Sequence, residues 1–345
     1  MLMLTHQQTG EVTRLTNLSF LPLDFSRLVD SVQNKRTTVI TTVEGDLCDE
    51  AENVIGDRVK CGFEIKLNDR VPFFCLVAGG VLPPAYVTGI QDAQFLLDRN
   101  VIGKIEANVK EVVDELKKLD SDRFAFNTLP ACFESAEQRC PTEIEMKAEF
   151  QRFNASVSGL FDNATVTTYS DDQLTQLHNF RSTFEPSHQI EKDFFRQVAP
   201  LVASTIRADQ LEGVKKQIIS IADSTGLKKD SFLFVASLSK LYENYESCGN
   251  TANKVLKPRI SMSEEDLYNV VADLRHLKML AASRVFHDQS FVMLTDDTGL
   301  AMLWAGLQIS NAQQADGGGS RVDFFPHEDL FPRADYEVIR KLLVV

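Results

Sequence analysis

Hydrophobic and polar positions change period along this chain, and each change marks a different kind of element. Residues 37–82 read as β-structure. Val59, Cys61, Phe63, Ile65 and Leu67 alternate with polar residues, the period of a strand with one face buried. A continuous apolar run, PFFCLVA, follows and ends at Gly79-Gly80, and Pro83-Pro84 then breaks the pattern. These features predict a small β-rich N-terminal module over residues 1–90. From about residue 92 the texture is helical with interspersed short strands. Phe95-Leu96-Leu97 is a strand candidate ending at Asp98, followed directly by a helix on which Ile105, Val109, Val112, Leu116 and Leu119 share a face. Thr142 and Glu145 form a capping-box pattern before Met146, Phe150, Phe153, Val157 and Leu160. Further helices are predicted near 187–206 and 208–224, with Gly226 as a stop. Ser263 and Asp266 open another over 263–283, with Leu267, Val270, Val271, Leu274 and Leu277 on its apolar face. Phe291–Leu294 is then a strand, and Leu300, Leu303, Trp304 and Leu307 return to helix. The order predicts an α/β fold over 91–345, a central parallel sheet flanked by helices with a helical insertion at about 160–260.

Within that order, acidic residues recur at one kind of place. Asp98 ends one strand and precedes a helix; Asp297 ends the segment FVMLTDD and precedes another. In open α/β sheets functional groups gather at the carboxyl ends of parallel strands. Asp273 lies on the helix before the second strand. At about 100° per residue, Asn269, Asp273 and His276 form a polar row beside the apolar stripe.

These segments resemble PIN-domain nucleases. FLLDRNVIGKI is similar to the family's opening motif, an apolar strand followed by Asp-x-Asn and a helix. NVVADLRHLKMLAASRVFHDQSFVMLTDDTGLAMLW is similar to its closing half: a helix with an acidic residue, a strand, then Thr-x-Asp and a helix. About 90 residues precede the first motif. The resemblance implies a PIN-like nuclease with catalytic and metal-binding acids Asp98, Glu134, Asp273 and Asp297. Glu134, in NTLPACFESAEQRCPTE, is expected in the first turns of a helix that starts near Pro130, with Glu137 as the alternative. Asn100 and Thr295 match supporting polar positions, and Asp296 is the neighbour onto which the fourth assignment can slip. His276, one turn beyond Asp273, is a candidate for contacting substrate phosphate.

The implied chemistry is hydrolysis of phosphodiester bonds by Mg²⁺ or Mn²⁺. Clustered carboxylates repel one another, and hard divalent cations relieve that repulsion and activate water. The resemblance puts RNA ahead of DNA as the nucleic-acid partner and makes a toxin-like or antiviral role, a regulatory protein partner or a homo-oligomer natural extensions. The alternative from another class is a non-catalytic interaction protein on the same scaffold.

Composition narrows the field around this reading. A net charge of −13 argues against wrapping duplex DNA with the whole surface, though local basic groups occur at Lys215-Lys216, Lys228-Lys229 and Lys254, Lys257, Arg259. No run of about 18 apolar residues and no basic segment leading into an apolar stretch appears, so a cytoplasmic protein without membrane contact is expected. The six cysteines lack zinc spacing and are expected to be reduced thiols. Gly317-Gly318-Gly319 lacks the Gly-Lys-Ser/Thr ending of a phosphate loop and reads as loop punctuation. Asp46 with Glu64-Ile65-Lys66 is similar to the Asp…Glu-x-Lys set of restriction-type nucleases, but the same charges suit the solvent face of an alternating strand.

Overall fold

A computed structural model describes residues 2–5, 12–34, 38–49, 51, 53–66, 73–87, 90, 92–135, 137–243, 245–286, 290–314 and 320–343. Leu67 and the triple glycine at 317–319 lie outside the described residues. Strands β1 (Leu2–Thr5), β2 (Val12–Leu21), β3 (Thr38–Cys48) and β4 (Val54–Lys66) form a four-stranded antiparallel sheet in the order β1-β2-β3-β4. A second sheet holds β5 (Phe74–Val77), β6 (Gly80–Leu82), β7 (Ala93–Leu97), β8 (Phe124–Asn127), β9 (Thr165–Val166) and β10 (Ser290–Thr295) in the order β6-β5-β10-β7-β8-β9. β11 (Ile309–Gln314) and β12 (Ser320–Phe324) form a separate hairpin.

The helices are α1 (Phe25–Gln33), α2 (Pro84–Val87), α3 (Arg99–Glu106), α4 (Lys110–Lys117), α5 (Leu129–Cys132), α6 (Glu143–Ser158), α7 (Asp171–Ser182), α8 (Glu185–Val202), α9 (Leu211–Thr225), α10 (Phe232–Tyr242), α11 (Tyr245–Cys248), α12 (Thr251–Leu256), α13 (Glu264–Phe286), α14 (Thr298–Leu307) and α15 (Tyr336–Leu343). None is long and apolar enough to cross a membrane. All six cysteines are free thiols.

The central sheet is mixed, not wholly parallel. β10, β7, β8 and β9 run parallel, whereas β5 and β6 are antiparallel additions beside β10. Residues 74–82, grouped with the N-terminal strands by sequence pattern, therefore hydrogen-bond within the main sheet. A two-residue turn at Ala78-Gly79 joins β5 to β6, and Gly79 has φ 82, which glycine reaches without a Cβ clash. Gly80 (φ 152) serves close approach as well: a Cβ there would meet the Leu23 carbonyl oxygen at 2.4 Å. Leu23 uses that approach to bridge Val81, so the chain leaving β2 is tied to the edge of the main sheet.

Alternation along the central strands builds a core on each face of the sheet. Phe95 and Leu97 of β7, with Val292 and Leu294 of β10, pack with side chains of α3 to α7. Leu96, Phe291 and Met293 pack on the other side with α8, α9, α10, α13 and α14. A strand buried on both faces reads as a continuous apolar run, which is why FVML and FLL carry no alternation. Trp304 lies in the second core, and its indole donates to the Val77 carbonyl at 2.8 Å. Trp304→Ala is expected to cost about 3–5 kcal/mol, measured as a lower urea midpoint.

Several elements depart from their predicted form. The helix after Asp98 is two helices, because Asn108 adopts φ 49 between α3 and α4; asparagine tolerates this left-handed conformation better than most residues. α10 was not foreseen: every residue in it except Lys240 is buried, so it has no polar face to create a helical period. β8 and β9 are too short to show one. The Thr142 capping box and the Gly226 stop (φ 77) form as predicted.

Candidate metal centre

Parallel pairing of β7 and β10 matches Leu97 with Leu294, so Asp98 and Thr295 emerge together at the carboxyl edge of the sheet. Both are buried, and the Thr295 hydroxyl donates to Asp98 Oδ2 at 2.6 Å. The Asp297 backbone N–H in turn donates to Thr295 Oγ1 at 3.1 Å. Thr295 thus links the two strand-end aspartates.

Glu134 arrives from β8. Asn127 at that strand's end accepts from the Leu129 N–H at 3.0 Å and starts the single turn of α5, with Pro130 in its first turn. Glu134 lies beyond the end of this turn, not in the first turns of a longer helix as the sequence suggested. Its position is instead held by side chains reaching its backbone. Arg99 Nη1 donates to the Glu134 carbonyl at 2.7 Å while its guanidinium pairs with Glu149. Arg275 donates to the Phe133 carbonyl at 2.9 Å, and the Tyr268 hydroxyl accepts from the Ser135 N–H at 3.3 Å. Glu137, the alternative acid, is exposed and paired with Arg139, away from these groups.

His276, a candidate for contacting substrate phosphate, lies inside the acid cluster. It is buried, with Nε2 3.1 Å from Glu134 Oε1 and Nδ1 4.0 Å from Asp98 Oδ1. Nε2 is also 3.3 Å from the Pro130 carbonyl. A carbonyl only accepts, so that hydrogen bond puts the ring proton on Nε2 and leaves the Nδ1 lone pair open in the neutral ring. Ligand atoms of Asp98, Glu134 and His276 all lie within 4.8 Å of one another. No other such group occurs among the described residues. The spacing that carried this signal was the helical i, i+3 relation between Asp273 and His276.

Asp273 and Asp297 stand next to this trio. Asp297 is the N-cap of α14 and accepts from the Leu300 N–H at 2.8 Å. Burial, then the charges of Asp297, Glu134 and Asp98, raise the Asp273 carboxyl well above its ordinary range, while Lys257 opposes the shift. Asp98 is pushed up to about 6, first by burial; His276 and the Thr295 hydrogen bond oppose the rise, and Glu134 adds to it. Asp296 points elsewhere, pairing with Lys104 at 2.6 Å. Asn100 is exposed on the first turn of α3.

Basic side chains stand at the rim. Asp273 shares a cavity of about 70 Å³ with Asn269, Lys257 and Arg259, the last of these paired with Asp266 at 3.2 Å. Gly299 lets α12 approach the start of α14: a Cβ there would lie 2.7 Å from Lys254 Cβ and 3.1 Å from Asp297 Oδ1. Of the other basic groups, Lys215 and Lys229 are paired with Glu212 and Asp223. On the N-terminal sheet Arg58 reaches Asp46 at 3.5 Å and Glu44 at 3.8 Å. That ladder suits a solvated face and leaves Asp46 committed to a cross-strand partner.

A cation suits this donor set. Glu134 Oε1 is buried and makes no well-aligned hydrogen bond, although His276 Nε2 stands 3.1 Å away, a costly state that a bound cation would relieve. A histidine whose second nitrogen donates to a backbone carbonyl is the usual arrangement for a metal ligand. Glu134→Gln is expected to weaken divalent-cation binding here by at least the roughly 10-fold that loss of an outer-shell partner costs and Glu137→Gln to leave it unchanged, as read by calorimetry. No family model, curated protein or solved structure matches this chain.

Proposed function

We propose that this protein is a Mn²⁺- or Mg²⁺-dependent nuclease on a PIN-like scaffold, acting on RNA in preference to DNA. The observation that carries the reading is the trio of Asp98, Glu134 and His276, the first and last of them buried, with an unsatisfied Glu134 oxygen and an open His276 Nδ1. Asp98, Glu134 and His276 would hold the ion. Two carboxylates and an imidazole favour Mn²⁺ over Mg²⁺, because Mg²⁺ prefers oxygen ligands alone. A bound divalent ion would lower the pKa of water and stabilise charge on the phosphate oxygens.

This chain's own residues supply the rest. Thr295 holds Asp98 in one orientation through its hydroxyl. Arg99, Arg275 and Tyr268 hold the Glu134 segment. Lys257, beside Asp273, offers positive charge to a phosphodiester that the acids alone would repel. No side-chain nucleophile is required. RNA is placed first because the motifs around Asp98 and Asp297 resemble those of a family that cleaves it.

The test is incubation of the purified chain with end-labelled single-stranded RNA and DNA, with Mn²⁺ and with EDTA. Cleavage that needs Mn²⁺ and disappears in Asp98→Asn supports the reading. Intact polymers under all conditions, or equal cleavage by Asp98→Asn, would sink it and favour a non-catalytic interaction protein.

A further inference from the structure

Where residues 138–140 meet α7, α8 and α13, the structure forms a partly open cavity of about 140 Å³. That is several times the roughly 30 Å³ share of one water. Its lining is rich in cations: Arg139, Arg181, Lys192 and Arg275, with His188 beside them. This concentration stands out in a chain of net charge −13.

Two of these cations are deeply buried and incompletely bonded. Arg181 is 3% exposed and Arg275 7% exposed. Arg181 Nη1 meets Glu185 at 3.0 Å and contacts the Cys140 thiol, but its Nε and Nη2 have no hydrogen-bond partner. Arg275 spends Nη2 on the Phe133 carbonyl, and its Nε has no partner. Among the described residues Arg275 has no carboxylate partner.

The acids in the lining do not balance this charge. Glu264 is paired with Arg196, and Glu185 is shared by Arg181 and His188. Arg139 is the one lining arginine fully matched, by Glu137 and Glu145. Buried guanidinium N–H groups without acceptors are costly, and an anion in the cavity would supply those acceptors. The planar fork of arginine matches the oxygens of a phosphate group in particular.

We propose that this cavity is a binding site for a phosphate group, held by Arg181, Arg275 and Lys192. It lies apart from the acids, although Arg275 and Tyr268 connect its wall to the segment bearing Glu134. The proposal does not rest on nuclease activity.

The test uses metal-free protein in EDTA, titrated with inorganic phosphate and with AMP at constant ionic strength, by calorimetry and thermal melting. A saturable heat and a raised midpoint are expected, unchanged in Asp98→Asn. Lys192→Ala, at a half-buried position that should not disturb folding, is expected to weaken binding about fivefold. Arg275→Gln is expected to abolish it. Tighter binding of AMP would identify a nucleotide as the source of the phosphate; equal affinity would identify the free ion. Either supports the site. The proposal is overturned if neither probe exceeds a sodium chloride control, or if Lys192→Ala binds as tightly as the unmodified chain. That second measurement decides the matter even if Arg275→Gln fails to fold.

Discussion

Replacing Asp98 by Asn should lower Mn²⁺-dependent cleavage by on the order of 10³-fold while making the metal-free protein more stable at about pH 7.5. The two effects share one cause. Asp98 is 4% exposed, with its carboxyl raised to about 6, so above that pH the fold carries a buried negative charge. Asparagine keeps an acceptor for the Thr295 hydroxyl and removes the charge. The expected gain is about 1–3 kcal/mol in urea unfolding. An acid kept only for packing would behave differently: its replacement would lower stability and leave cleavage intact. Loss of stability together with full activity would contradict the assignment outright.

In the absence of metal, acidification from about pH 7.5 to about 5 should stabilise the protein, and saturating Mn²⁺ should reverse the trend. The folded pKa of Asp98, about 6, stands above its ordinary 3.8. As pH falls, the folded chain therefore takes up this proton before the unfolded chain does. The stability associated with Asp98 is fully present below about pH 4 and is lost as pH rises through about 6. Its size is about 3 kcal/mol at most. Asp273 is shifted in the same direction, first by burial and then by Asp297, Glu134 and Asp98. Mn²⁺ needs the deprotonated carboxylates, so protons compete with it and its stabilisation grows with pH. Melting curves across this range, in EDTA and in Mn²⁺, measure both slopes. Asp98→Asn should flatten the EDTA curve. A metal-free protein that gains stability toward pH 7.5 would show that these carboxylates are not held above their ordinary range.

The cluster stands at the end of two strands, β7 and β10, that were legible from residue order. Amphipathic period predicted α6 with its Thr142 cap, α9 with its Gly226 stop, and α13 with its stripe from Leu267 to Leu277, whereas α1, α7 and α15, each with one wet face, were not read from the sequence. The strand-end places of Asp98 and Asp297 were also readable, since each follows an apolar run and precedes a helix. α10 and β8 escaped because one is buried on all sides and the other spans only Phe124–Asn127.

Local order along the chain determined where strands and helices begin and which acids stand at their ends, because capping, turn chemistry and amphipathic period act over a few residues. Only the tertiary structure decided which of those acids meet. Pairing of β7 with β10 brought Asp98 to Thr295, and Arg99, Arg275 and Tyr268 carried Glu134 to His276. It also turned Asp297 toward its helix cap and Asp296 toward Lys104. Strand order and long-range side-chain anchors join positions more than a hundred residues apart, and no short-range period encodes such a meeting.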